Sequence, residues 1–197
     1  LTDPPVVVGF LNEFLSFPHL NSPEGYGFRM ESGSIRYRSV NTGEVGDFKP
    51  HNGNGLFRFA VDSHHYQCIP GKAYSGLTRV VWELNEVEYN KGGTALVSGS
   101  HKSNYRKQLP LFDDRESGVW DSYSCPPGSL LIFSEAVRHS SCPWEQDTPR
   151  MALFFAYNHI NVRHHKPSFT DEMLASLTPE RRRFFNEVYH PQFDRWS

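Results

Sequence analysis

Between Tyr26 and Tyr157 the chain carries six short apolar or alternating runs, punctuated by Gly, Pro, Asn and Asp. They are Gly27 to Met30, Leu56 to Phe59, Leu77 to Leu84, Thr94 to Val97, Ser129 to Phe133 and Met151 to Tyr157. The turn residues between them recur at intervals suited to adjacent strands. Many short strands at such spacing predict a sandwich or barrel. Helical signals flank this region. Val8, Phe10, Leu11, Phe14 and Leu15 recur near helical spacing, which predicts a helix within Pro4 to Phe17. In the tail, Ser168 caps one expected short helix, and Thr178-Pro179-Glu180 opens another with proline at the first helical position.

A chain of 197 residues is enough for one domain with a substantial core. The formal net charge of −2 and the absence of a basic block argue against a nucleic-acid partner. No run approaches the roughly 18 apolar residues of a membrane helix, and no signal peptide opens the chain. Cys68, Cys125 and Cys142 are odd in number and lack CxxC spacing, so they read as reduced thiols of a cytoplasmic protein. The chain opens on Leu1 rather than Met, which reads as a fragment or a trimmed chain.

Chemistry concentrates in the last two runs. Pro127-Gly128 turns into Ser129-Leu130-Leu131-Ile132-Phe133; His139 and Ser141 follow, and Arg150 heads the apolar run Met151 to Tyr157. Two adjacent strands would thus aim a metal-type imidazole and a guanidinium fork at one cavity. A buried arginine needs an anion, and a bound dicarboxylate would supply it. Upstream, Gly92-Gly93-Thr94-Ala95-Leu96-Val97-Ser98-Gly99-Ser100-His101-Lys102 gives a turn, a strand and a second turn, with His101 and Lys102 as loop anchors.

Taken in order, the Gly-Gly-Thr-Ala-Leu-Val-Ser-Gly-Ser-His-Lys block, Pro-Pro-Gly-Ser-Leu-Leu-Ile-Phe, His139 and Arg150 resemble the phytanoyl-CoA dioxygenase family over residues 4 to 160. That resemblance implies an Fe(II)- and 2-oxoglutarate-dependent oxygenase. Its fold would be a double-stranded β-helix (a cupin-like jelly roll) with helices at both ends, one domain over residues 1–197 lacking the family's N-terminal helical region. It implies hydroxylation of a C–H bond of a small organic substrate by O2, with succinate and CO2 as coproducts. By the same likeness His139 is the distal iron ligand, Arg150 grips the far carboxylate of 2-oxoglutarate, and Ser141 assists it. Trp82 falls where relatives place an aromatic wall beside the cosubstrate, though ordinary core packing explains a tryptophan equally well.

One element of the family pattern is missing. No His-x-Asp occurs anywhere in the chain. His51-Asn52-Gly53, after Asp47-Phe48-Lys49-Pro50, is the best positional match, with Asp62-Ser63-His64-His65 as its competitor. Glycine at 53 leaves three readings open: a two-histidine iron with a vacant position, as in halogenases; a carboxylate such as Asp62 from elsewhere; or a jelly-roll binding protein that has lost catalysis.

Overall fold

The structure is a computed structural model and describes residues 1–23, 25–40, 48–59, 62–104, 110–166 and 169–190. Ser168 and Asp47, singled out above, lie outside the described residues. Eleven residues, Pro5–Leu15, form helix α1, followed by strands β1 Phe28–Arg38, β2 Tyr66–Ile69, β3 Lys72–Ser75, β4 Thr78–Glu83 and β5 Gly93–Val97. Strands β6 Ser129–Ser134, β7 Arg138–Cys142 and β8 Arg150–His159 come next, then short helices α2 Asp171–Ala175 and α3 Pro179–Arg182. The protein is mainly β, with antiparallel sheets and few helices.

Helix α1 starts with Pro5 in its first turn, where the missing N–H costs nothing. Val7, Leu11 and Leu15, four residues apart, make its buried stripe. Thr170 and Thr178 cap α2 and α3 by accepting from the backbone N–H of Met173 and Arg181.

The main sheet has four strands in the order β1-β8-β4-β6, and β5 pairs with β7 in a second sheet. Pairing puts alternate side chains on opposite faces. On the outer face Phe28, Met30, Val80 and Tyr157 pack with the α1 stripe and Phe184. On the inner face Val81, Phe133 and Ala152 pack with Leu96 of β5, Leu131 and Phe154. The candidate site lies on this inner side.

Strand β1 changes face partway along. Met30 pairs with Tyr157 but Ser32 pairs with Ala156, so the register shifts between them. One extra residue in one strand inverts which face each later side chain occupies. Even-numbered residues point outward at Phe28 and Met30 and inward at Ser34, Arg36 and Arg38, where they line the inner cavity.

Two sequence expectations change. Leu56 to Phe59 is not a strand: Gly55–Phe57 forms a 3-10 turn, and Phe59 is 82% exposed, so the apolar run has no sheet to join. Strands β2, β3 and β7 fall outside the six expected runs. Among the described residues no helix is long and apolar enough to cross a membrane, and Cys68, Cys125 and Cys142 are all free thiols.

Candidate metal centre

His51 lies against β7, where its backbone N–H and C=O exchange 3.1 Å hydrogen bonds with His139. This bridge places the two imidazoles beside each other, with ring centroids 4.1 Å apart. Each ring's Nδ1 faces a backbone carbonyl, Lys49 O at 2.9 Å for His51 and Val137 O at 2.8 Å for His139. A carbonyl only accepts, so both Nδ1 atoms carry a proton, which leaves Nε2 as the atom of each ring that could bind a metal. Such a contact fixes the tautomer of a metal-ligating histidine.

The third member is Glu135, in the turn between β6 and β7. Its Oε2 lies 3.4 Å from His139 Nε2, and one ligand atom from each of His51, Glu135 and His139 falls within 4.8 Å of the other two. Asn52 Nδ2 donates to Glu135 Oε2 at 3.0 Å, and Arg79 Nε donates to Oε1. Burial pushes the Glu135 pKa up, but His139 and Arg79 outweigh it and hold the carboxyl below its ordinary value. Burial, reinforced by the neighbouring His51, pushes His139 down to about 4. The imidazole is therefore neutral at pH 7, as a ligand must be. Two histidines and one carboxylate form the donor set suited to non-haem Fe(II).

Gly53, where the sequence resemblance leads one to expect an aspartate, cannot carry a side chain. Its φ is +88°, and a Cβ there would sit 2.5 Å from Arg138 Cβ. Asp62, offered by the sequence as a substitute, accepts hydrogen bonds from Arg58 Nη1 and His64 N, each at 2.9 Å. His65 packs against His159 with ring centroids 5.1 Å apart. None of Asp62, His64 and His65 belongs to the His51–Glu135–His139 group. Sequence reasoning missed Glu135, whose one signal is its spacing in Glu135-Ala136-Val137-Arg138-His139.

His51, His139, Glu135, Ser141 and Arg150 line one cavity of about 290 Å³, with Arg36, Arg38, Arg79, Phe133 and Phe154 among its other walls. Arg150 is 4% exposed and already has an anion: its Nε donates to Glu83 Oε2 at 3.1 Å and its Nη2 to Glu83 Oε1. The Tyr123 hydroxyl donates to the same Oε1 at 2.6 Å. Burial lowers the Arg150 pKa, and the pairing with Glu83 more than reverses it. The anion that the sequence reading looked for in a bound dicarboxylate is thus already present as Glu83 of β4. Trp82 does not join the cavity. It packs against the outer-face core, and its indole N–H donates to Leu1 O at 3.1 Å. In β4, Arg79 and Glu83 point inward, so Trp82, adjacent to Glu83, points outward.

No family profile matches the chain, and no curated protein matches it. Solved structures do. HygX from Streptomyces hygroscopicus with nickel and 2-oxoglutarate bound is 16% identical, with a TM-score of 0.59 over 93% of this chain and 70% of that one. The same protein with nickel, 2-oxoglutarate and hygromycin B gives 0.60 at 17% identity, over 95% and 72%. EctD from S. alaskensis with bound Fe gives 0.53 at 16% identity, over 93% and 58%. At these identities the likeness is one of fold.

Proposed function

We propose that this chain is a single jelly-roll oxygenase domain that uses Fe(II) and 2-oxoglutarate to hydroxylate a C–H bond of a small organic substrate. The observation that carries the reading is the convergence of His51, Glu135 and His139, with both histidine tautomers set by backbone carbonyls. The matched folds that hold iron or nickel and 2-oxoglutarate add support.

In this reading His51, Glu135 and His139 hold the metal, which when bound supplies O2 activation coupled to decarboxylation of the cosubstrate, giving succinate and CO2. The protein's own contribution is geometry and charge. Val137 O and Lys49 O keep the imidazoles aimed, Asn52 and Arg79 fix the Glu135 carboxylate, and Phe133 and Phe154 give the cavity apolar walls that exclude water. Arg150, with Ser141 beside it in the lining, grips the far carboxylate of 2-oxoglutarate once Glu83 yields one of its bonds. The halogenase reading required an open corner left by Gly53, and Glu135 fills that role, so hydroxylation is favoured.

A second reading, a binding protein without catalysis, draws on the closed Arg150–Glu83 pair. One titration separates them. Fe(II) and 2-oxoglutarate are added anaerobically to wild type, His51→Ala, Glu135→Gln, His139→Ala and His64→Ala, and the visible metal-to-ligand charge-transfer band is followed. A band kept in His64→Ala and lost or weakened at least tenfold in the other three supports the oxygenase. No band in folded wild type refutes it.

A further inference from the structure

The cavity's arginines are not all answered alike. Arg79 pairs with Glu135 and Arg150 with Glu83. Arg36 lines the same cavity, yet no described residue gives its guanidinium an ion pair or hydrogen bond. Ser34, two residues earlier on the same face, likewise has no partner among the described residues. Their inward position depends on the β1 register shift between Met30 and Ser32; without it both would point outward, as Ile35 and Tyr37 now do at 72% and 62% exposed.

The partners across the ladder complete the site. Ser34 stands opposite Phe154, Arg36 opposite Ala152 and Arg38 opposite Arg150. Directly opposed like charges are unfavourable. Ala152 is small and fully buried, so nothing on β8 competes for the space over which the Arg36 fork extends. Residues two apart on one strand face lie roughly 7 Å apart, so a hydroxyl and a guanidinium meet an incoming group from the same side. The nearby Phe133 and Phe154 offer apolar contact to the rest of such a molecule.

We propose that Ser34 and Arg36 form an oxyanion-binding mouth, and that the small-molecule substrate carries a carboxylate, phosphate or sulfate that docks there. This rests on the oxygenase reading for the word substrate, while the anion site itself does not. The group is distinct from the far carboxylate of the cosubstrate, which belongs to Arg150. A guanidinium takes such a group with two parallel hydrogen bonds, and Ser34 adds a third donor.

The test uses sulfate as probe, titrated calorimetrically at low ionic strength into wild type, Arg36→Gln and Arg36→Lys, alone and with Fe(II) and saturating 2-oxoglutarate under anaerobic conditions. Circular dichroism checks that each variant is folded. The expected result is sulfate binding in wild type, at least tenfold weaker in Arg36→Gln and partly restored in Arg36→Lys, since the lost bonds are to a charged group. Binding must persist at saturating 2-oxoglutarate, and the 2-oxoglutarate dependence of the charge-transfer band must not move in Arg36→Gln. Equal sulfate affinity in wild type and Arg36→Gln, or no sulfate binding at all, overturns the site. A tenfold rise in the 2-oxoglutarate requirement of Arg36→Gln overturns the assignment to substrate and gives Arg36 to the cosubstrate. If wild type shows no charge-transfer band yet sulfate binding still needs Arg36, the oxygenase reading fails and the anion site stands.

Discussion

Replacing Glu83 by Gln tests how the cavity stores its positive charge. The Arg150 and Glu83 side chains are 4% and 1% exposed, and two guanidinium nitrogens reach the two carboxylate oxygens. Removing one partner of such a pair leaves the other charge buried, at a cost of about 3–5 kcal/mol. Glutamine keeps an oxygen for the Tyr123 hydroxyl and for one Arg150 bond, which places the cost near 3 kcal/mol. For a chain of this size each kcal/mol moves the melting temperature by roughly 2–4 °C, so Glu83→Gln is expected to melt about 6–12 °C below wild type. A dicarboxylate that replaces the lost anion should reverse much of this. Glutarate at 100 times its Kd returns about 2.7 kcal/mol by mass action, whereas in wild type it must first displace Glu83. The assay is a thermal melt of metal-free protein followed by circular dichroism, with and without glutarate. A Glu83→Gln melt within 2 °C of wild type would show that Arg150 is not held in a desolvated pair. A full loss that glutarate leaves untouched would show that the fork is closed to cosubstrate.

Three further outcomes are expected. Restoring a carboxylate by Gly53→Asp destabilises the fold by about 1–3 kcal/mol, because a non-glycine residue is strained at a φ of +88° and its Cβ meets Arg138; chemical denaturation measures the loss, and iron affinity does not rise. His159 is 1% exposed, and burial pushes its pKa down to about 4 from an ordinary 6.5. The unfolded chain therefore binds more protons between these values, and stability falls as pH drops through that window. From pH 7.5 to 5 the loss is about 2 kcal/mol; urea titrations at both pH values should show a shallower loss in His159→Gln, and equal slopes would refute the assignment. Trp82→Phe costs about 1 kcal/mol through the lost bond to Leu1 O, and the 2-oxoglutarate dependence of the charge-transfer band stays at the wild-type value, whereas a wall beside the cosubstrate would raise it.

The parts legible in the sequence are those where hydrophobic pattern and packing agree. The buried stripe of α1 and the apolar runs of β4, β5, β6 and β8 were readable because each faces a core. Strand β7, Arg138-His139-Ser140-Ser141-Cys142, reads as polar because His139, Ser140 and Ser141 line the cavity rather than a hydrophobic core. The β2–β3 hairpin hinges on Pro70-Gly71, with Gly71 at a φ of +80°, a turn signal that its mixed flanking residues conceal. No hydrophobic pattern announces the register shift in β1, so the inward aim of Arg36 was invisible until the pairing was known. His139 and His51 were legible through a likeness to a family pattern. Glu135 was not, because that pattern has its carboxylate two residues after the first histidine, whereas Glu135 stands four residues before His139 in the turn ahead of β7.

Gly53 looks like a lost ligand only if the side chain at that position is free to choose. The Gly53 N–H donates to Ala136 O at 3.2 Å, and Arg138 Nη1 donates to Asn52 O at 3.2 Å. These bonds press the 51–53 segment flat against the turn that carries Glu135 and Arg138. At that distance no Cβ fits on residue 53, as the 2.5 Å contact with Arg138 shows. The same approach lets His51 pair with His139 across β7 and lets Asn52, at a φ of +63°, reach Glu135 Oε2. Glycine at 53 and glutamate at 135 are therefore two consequences of one close packing.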